Sequence, residues 1–476
     1  MSSVAVSERA GPEVRSRLPV RTIVHVALFA LVALYFLAWP IWRAQFPVEI
    51  WPTEGWNAYF QDAAAAGRRL YPDPAGFVGN NYPPLSFYAI GLIGKLTNVD
   101  NLFVGRCVSI LALLSLSVEI FLAVRLIANS AIAGIIGALW YLAIMAHNST
   151  LYIGTNDPQL AAEAIMGAAL VWFLKRDRDG GSAMTPLLLM VVAGFWKHNA
   201  AGIPITAIVW LFIRHGNGAI RPASLSALAA AAGLLACILV FGSDFLPNML
   251  AHRQYAWANV LTNVGHLQWC APAFAIWALW ASTNFGSPAA NFTAVHIGTG
   301  LIACILQWFG HGVGGNAEFD LIIGLAIGIG VTFAGIQTSR FAARIGVDRA
   351  RDSMIALLLL RLIAVDRHET ALLMLSPNFR AALYENERVA RAEASAISKL
   401  SGDIACSNKV VCRAAGKPFV FDEFKMEELI GTGAMTRMEQ DALIDARGIH
   451  AFKNSAASSA DVNTSLFHWL NNKGPS

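Results

Sequence analysis

Charge is what this chain has least of. Of its 476 residues only 14% are Asp, Glu, Lys or Arg, against roughly 25% in soluble domains. A packed soluble enzyme and a basic nucleic-acid surface are both excluded by that shortage; the net charge is only +4. Cysteine is sparse as well, with six residues. None has the paired spacing of a zinc ribbon. Cys107, Cys237, Cys270 and Cys304 fall in or near apolar runs and read as small apolar residues. Cys406 and Cys412 lie in a polar region and are either free thiols or a short disulfide loop. No internal repeat is visible, and no small-residue cleavage site follows the first apolar run.

What is present is apolar sequence. Hydrophobic residues make up 56% of the chain and mean hydropathy is +0.50. A helical membrane span needs about 20 such residues. Candidate spans fall at 22–42, 102–124, 131–147, 157–174, 184–197, 200–214, 223–241, 265–281, 292–309, 317–336 and 353–365. The expected fold is an all-α polytopic membrane protein of about 11 spans. Residues 1–20 read as a cytoplasmic tail, because Arg125, Lys175, Arg176, Arg178, Arg214, Arg221, Arg340, Arg344, Arg349 and Arg351 then share its side. The outer side, the periplasm of a bacterial inner membrane, would receive the loop 43–101 and everything after 365.

Residues 366–452 have the grammar of a small α/β domain, with 453–476 as a mobile tail. Ser376 and Pro377 open a helix that runs to Leu400 and stops at Gly402. Val410–Val411 and Pro418–Phe421 read as short strands. Thr436 and Glu439 make a capping box, and Gly448 a helix stop.

The first outer loop is more elaborate than a connector requires. From Thr53, a potential N-cap, to Leu70, aromatic and small residues fall on one helical face, with Glu54, Asn57, Gln61 and Arg68 on the other. This predicts an amphipathic helix lying flat at the membrane surface; an ordinary surface helix with an N-terminal acid is the alternative. The two prolines after Tyr82 fix the entry to a second juxtamembrane helix, 85–96. Asp157, before Pro158, is either a helix cap or a second carboxylate facing the same cavity. Lys197, with His198 beside it, interrupts an apolar pair; a lysine at that depth needs a partner or a wet cavity and suits a phosphate. Arg253 is a further anion contact. The loop from His311 through Asn316 to Glu318 is glycine-rich, so its amides can approach a ligand.

In this order the segments EGWNAY from Glu54, YPPLSFY from Tyr82, NDPQ from Asn156, Lys197, and GGN ending at Asn316 resemble the C-type superfamily of integral-membrane glycosyltransferases. Protein O-mannosyltransferases and the aminoarabinose transferases that modify lipid A are among its members. The likeness covers roughly residues 20–340. It implies a sugar donor carried on a polyprenyl phosphate, a glycolipid, polysaccharide or protein acceptor, and a site at the bilayer surface. It implies Glu54 as general base, where many relatives have aspartate, and Asp157 as the second acid. Lys197, with His198 and Arg253, would take the donor phosphate. Tyr82, Asn156, His311, Asn316 and Glu318 would line the substrate site. Some relatives use a divalent metal ion; Asp157 lacks the neighbouring acid that would favour one. The rival reading is a transporter or lipid flippase, in which the helix break at Lys197 would line a path.

Overall fold

The computed structural model describes residues 19–365 and 368–455; most of the expected cytoplasmic and C-terminal tails lies outside them. The helices of the first half are α1 (Val20–Arg43), α2 (Thr53–Ala65), α3 (Leu85–Thr97), α4 (Asn101–Ala128), α5 (Ala131–Asn148), α6 (Gln159–Arg178), α7 (Met184–Trp196), α8 (Gly202–His215) and α9 (Ile220–Phe241). There follow α10 (Phe245–Met249), α11 (Trp257–Val264), α12 (Ala271–Asn284), α13 (Pro288–Trp308), α14 (Phe319–Gly335), α15 (Arg340–Ile345) and α16 (Val347–Ile363). Each of the eleven proposed spans falls on one of these helices. Among the described residues, six helical stretches are long and apolar enough to cross a membrane, α8 and α9 being taken together. The others are shorter or more charged.

The bundle is organised around α14. Every residue from Phe319 to Phe333 is buried, and α5, α13, α12 and α4 pack around it. Without water to drive helices together, close packing must do so, and small residues permit it. A side chain at Gly137 would come within 2.7 Å of the Ala326 carbonyl, and one at Gly330 within 2.8 Å of the Ala133 carbonyl. The two glycines let α5 and α14 touch backbone to backbone.

Beyond α16 come α17 (Glu369–Leu375), α18 (Pro377–Ser398), β1 (Asp403–Cys406), α19 (Lys409–Ala414), α20 (Glu423–Gly431), α21 (Arg437–Arg447) and β2 (Ile449–Phe452). The Ser376 cap, the Thr436–Glu439 capping box and the left-handed Gly448 are as the sequence predicts. The strands are not. Val410 and Val411 lie in α19, capped by the Asn408 side chain, and Pro418–Phe421 forms no strand. The sheet is instead β1 parallel to β2. The apolar residues of α19 pack against the 46–48 segment, α18 and β1 instead of pairing as a strand. Cys406 and Cys412 are joined by a disulfide.

Two parallel strands cannot stand alone, and the first outer loop completes this region. Phe77 sits in one apolar cluster with Phe421, Met426, Ile444 and Ile449. Phe46 and Val48 join a second, with Ile397, Ile404 and Val411. Polar contacts reinforce the seam. Lys425 donates to the carbonyls of Pro74, Gly76 and Val78, and Arg413 binds both Asp62 and Asp100. Residues 368–455 thus share their core with the loop they cover.

Candidate functional site

The site is assembled on α2, and α2 is not an exposed amphipathic helix. It ends at Ala65 rather than Leu70, and Thr53 is its first residue, with no side-chain cap. Both faces are buried. Trp56 and Phe60 pack with Tyr82 and Phe87. The polar face turns inward to the helical bundle, where Glu54, Asn57 and Gln61 each find hydrogen-bond partners.

Glu54 shows this most fully. Its carboxylate is completely buried. Arg106, on α4, donates from Nε to Oε1 at 2.8 Å and from Nη2 to Oε2 at 2.7 Å. The Ile50 amide reaches Oε2 at 2.7 Å and the Asn156 amide reaches Oε1 at 2.8 Å. A carboxylate has about four acceptor positions, and all are taken. The sequence expectation of Glu54 as proton acceptor thus meets a carboxylate with no acceptor position open. Asn57 and Gln61, further along α2, bind Asn156: Asn57 donates to its carbonyl, and the Gln61 and Asn156 amides pair reciprocally at 2.8 and 2.9 Å. The result is a segment, 155–158, pinned from below.

Asp157 is the next residue along it. Its Oδ1 accepts the Gln159 amide at 2.8 Å, opening α6 after Pro158. The residue is 8% exposed. Its charge is felt by Lys197, Tyr82 and Tyr152. No cation lies within 4 Å of it among the described residues, so it faces this group without being locked in an ion pair.

Lys197 is buried in the break between α7 and α8, its Nζ 3.1 Å from the centre of the Tyr82 ring. That break is held by Asp320, whose two oxygens accept the amides of Gly202 and Ile203 at 2.9 and 3.0 Å. Asp320 therefore caps α8 from α14. His198 is exposed. Arg253 lies within electrostatic range of Lys197 and Tyr82; it donates to the His311 carbonyl at 2.7 Å and covers the Phe424 ring. The Tyr82 hydroxyl is raised well above its ordinary range by burial first and the Asp157 charge second, so it remains a neutral donor.

The remaining predicted residues hold the walls. His311 meets Glu428 at 2.6 Å, tying the glycine-rich loop to α20. Asn316 accepts from the Tyr152 hydroxyl at 3.2 Å. Glu318 takes the Trp269 indole at 2.7 Å. The structure thus brings Tyr82, Asp157, Lys197 and Arg253 together, with Asn156 and Glu54 behind Asp157. His311, Asn316 and Glu318 are engaged in the surrounding loops.

Two residues escaped the sequence reading. Arg106 did give a signal: an arginine inside an apolar run demands a buried partner. Glu49 gave none. It is 2% exposed and neither oxygen has a hydrogen-bond partner, the Gly55 amide facing it outside bonding geometry. Burial pushes it up to about 8, against the opposing pull of Lys409 from α19.

Comparison with solved structures finds ArnT from Cupriavidus metallidurans bound to undecaprenyl phosphate. The TM-score is 0.54 and the identity 13%, over 90% of this chain and 89% of that one. The apo form gives 0.54 at 12%, over 89% and 90%. The chain has the fold of the C-type membrane glycosyltransferases. An oligosaccharyltransferase from Archaeoglobus fulgidus, tethered with an acceptor peptide, is also similar, at TM-score 0.46 and 10% identity, over 85% of this chain and 64% of that one. No protein-family model and no curated protein sequence matches the chain.

In this C-type fold the cluster around Lys197 is a poor host for a divalent cation. Hard cations need several oxygen ligands, and no three His, Cys, Asp or Glu side chains gather for one among the described residues. Asp157 faces Lys197 and Arg253 instead.

Proposed function

We propose that this protein is an inner-membrane glycosyltransferase that moves a sugar from a polyprenyl-phosphate donor to an envelope acceptor on the periplasmic side. The observation that carries the reading is the cluster of one open carboxylate and two cations, Asp157, Lys197 and Arg253, set in a C-type fold whose ArnT representative binds undecaprenyl phosphate.

Asp157 is the general base, in place of the Glu54 expected from the motif. Its carboxylate takes the proton of the acceptor hydroxyl as that oxygen bonds to the anomeric carbon. The bond from that carbon to the phosphate oxygen breaks, and the polyprenyl phosphate leaves. Lys197 and Arg253 stabilise the charge developing on it. A leaving phosphate needs no proton, so one carboxylate suffices. Glu54 acts through Asn156, fixing the segment that carries Asp157. Tyr82 supports Lys197 with its ring and closes the site with a neutral hydroxyl.

The test is turnover of a panel of polyprenyl-phosphate sugars by the purified protein in lipid, with envelope glycolipids as acceptors. The reading expects one donor to be consumed and its polyprenyl phosphate released, and consumption to fall with Lys197→Met. A lipid-linked sugar moved across vesicles without chemical change would favour the flippase reading instead.

A further inference from the structure

At the opposite end of the bundle from Lys197, α12, the end of α14, α15 and α16 enclose a cavity of about 130 Å3. Leu279, Trp280, Ile336, Phe341, Met354 and Leu357 line it. Its polar atoms are few, and one of them, the Thr332 hydroxyl, is buried with no partner. A dry apolar cavity of roughly 150 Å3 is large enough to admit benzene, so this one admits a segment of hydrocarbon chain. Leu279, Phe341 and Leu357 are all exposed. The cavity thus opens through the apolar outer surface of the bundle, which in a membrane faces lipid.

The chain next to its lining residues is basic. Arg340 and Arg344 flank Phe341 on α15, and Arg349 precedes Ala350, another lining residue. All three arginines are exposed, and none pairs with a carboxylate among the described residues. The nearby acids are already engaged: Asp348 and Asp352 meet Arg21, and Asp352 also meets His25. Arg351 is turned inward over the Phe333 ring. Unpaired guanidinium groups beside an apolar slot match a molecule with a phosphate at one end and an alkyl chain at the other.

We propose that this cavity binds one acyl chain of an anionic phospholipid, with Arg340, Arg344 and Arg349 holding its phosphate headgroup. The site is separate from the Lys197 cluster and independent of the catalytic reading. It would lock α15, the short helix between α14 and α16, to the end of the most buried helix in the protein.

Native mass spectrometry of the full-length protein, with phosphatidylglycerol or phosphatidylcholine added at matched concentrations, tests it. Wild type is expected to retain phosphatidylglycerol preferentially. Arg340→Gln/Arg344→Gln/Arg349→Gln is expected to lose that preference by roughly a hundredfold, and the matching triple lysine variant to keep most of it. Ser353→Phe, which fills the cavity from α16, is expected to lower retention of both lipids. Size-exclusion profiles and melting temperatures confirm that each variant is folded. Equal retention of the two lipids by wild type means an apolar plug only and overturns the proposal. So does an unchanged preference in the triple glutamine variant.

Discussion

Replacing Glu54 by Gln separates two roles that a motif alone cannot. Glu54 and Arg106 are 0% and 1% exposed at the side chain, and four donors converge on the carboxylate. Glutamine keeps the shape but supplies one acceptor oxygen and an NH2 group. That NH2 must then face donors, either Arg106 with the Ile50 amide or Arg106 with the Asn156 amide. The Arg106 charge is left buried, its remaining partners being the carbonyls of Ala44, Phe46 and Val48. Breaking one side of a buried ion pair costs about 3–5 kcal/mol, a large part of a typical stability of about 5–15 kcal/mol. The expected outcome is a large fall in thermal stability in detergent, together with lost activity. Asp157→Asn should behave differently, because asparagine can still accept the Gln159 amide through its oxygen. Melting curves for both variants and wild type decide the matter. A Glu54→Gln protein as stable as wild type yet inactive would falsify the positioning role and return Glu54 to the chemistry.

Three further outcomes follow from the same geometry. Tyr82→Leu removes the ring under Lys197 and should weaken donor binding by about 2 kcal/mol, whereas Tyr82→Phe should bind normally; donor titration with each variant checks this. Glu49 is raised by burial to about 8 from an unfolded value near 4.5, so its destabilising share is absent below 4.5 and grows as pH rises towards 8. Glu49→Gln should therefore flatten the pH dependence of melting across that window and raise stability at pH 8; identical pH profiles would count against it. Cys406→Ser/Cys412→Ser should cost about 2 kcal/mol from the small loop closed, read as earlier proteolysis of residues 368–455.

The helices were legible in the sequence because apolar runs and their caps are local signals. Ser376 caps α18, the Thr436–Glu439 box caps α21 and Gly448 stops it, as read from the sequence. The two strands were misplaced because β1 and β2 are only four residues each and are paired across more than forty residues of intervening chain. Local pattern cannot see that pairing. The same limit applies to α2. Its polar stripe of Glu54, Asn57 and Gln61 reads as a water-facing side, since Arg106 and Asn156 lie far along the chain. The residues gathered at the site were visible singly, Lys197 as a cation at a helix break and Asp157 beside a proline. Which carboxylate stays open was not visible, because that depends on donors brought by other elements.

The central claim is that Asp157, within electrostatic range of Lys197 and Tyr82, takes the proton in a sugar transfer. Its most direct measurement is the transfer rate with the productive polyprenyl-phosphate donor, comparing wild type with folded Asp157→Asn. The account predicts near-wild-type stability and a rate lower by about 10²–10⁴-fold. Transfer at the wild-type rate by the asparagine variant would contradict it.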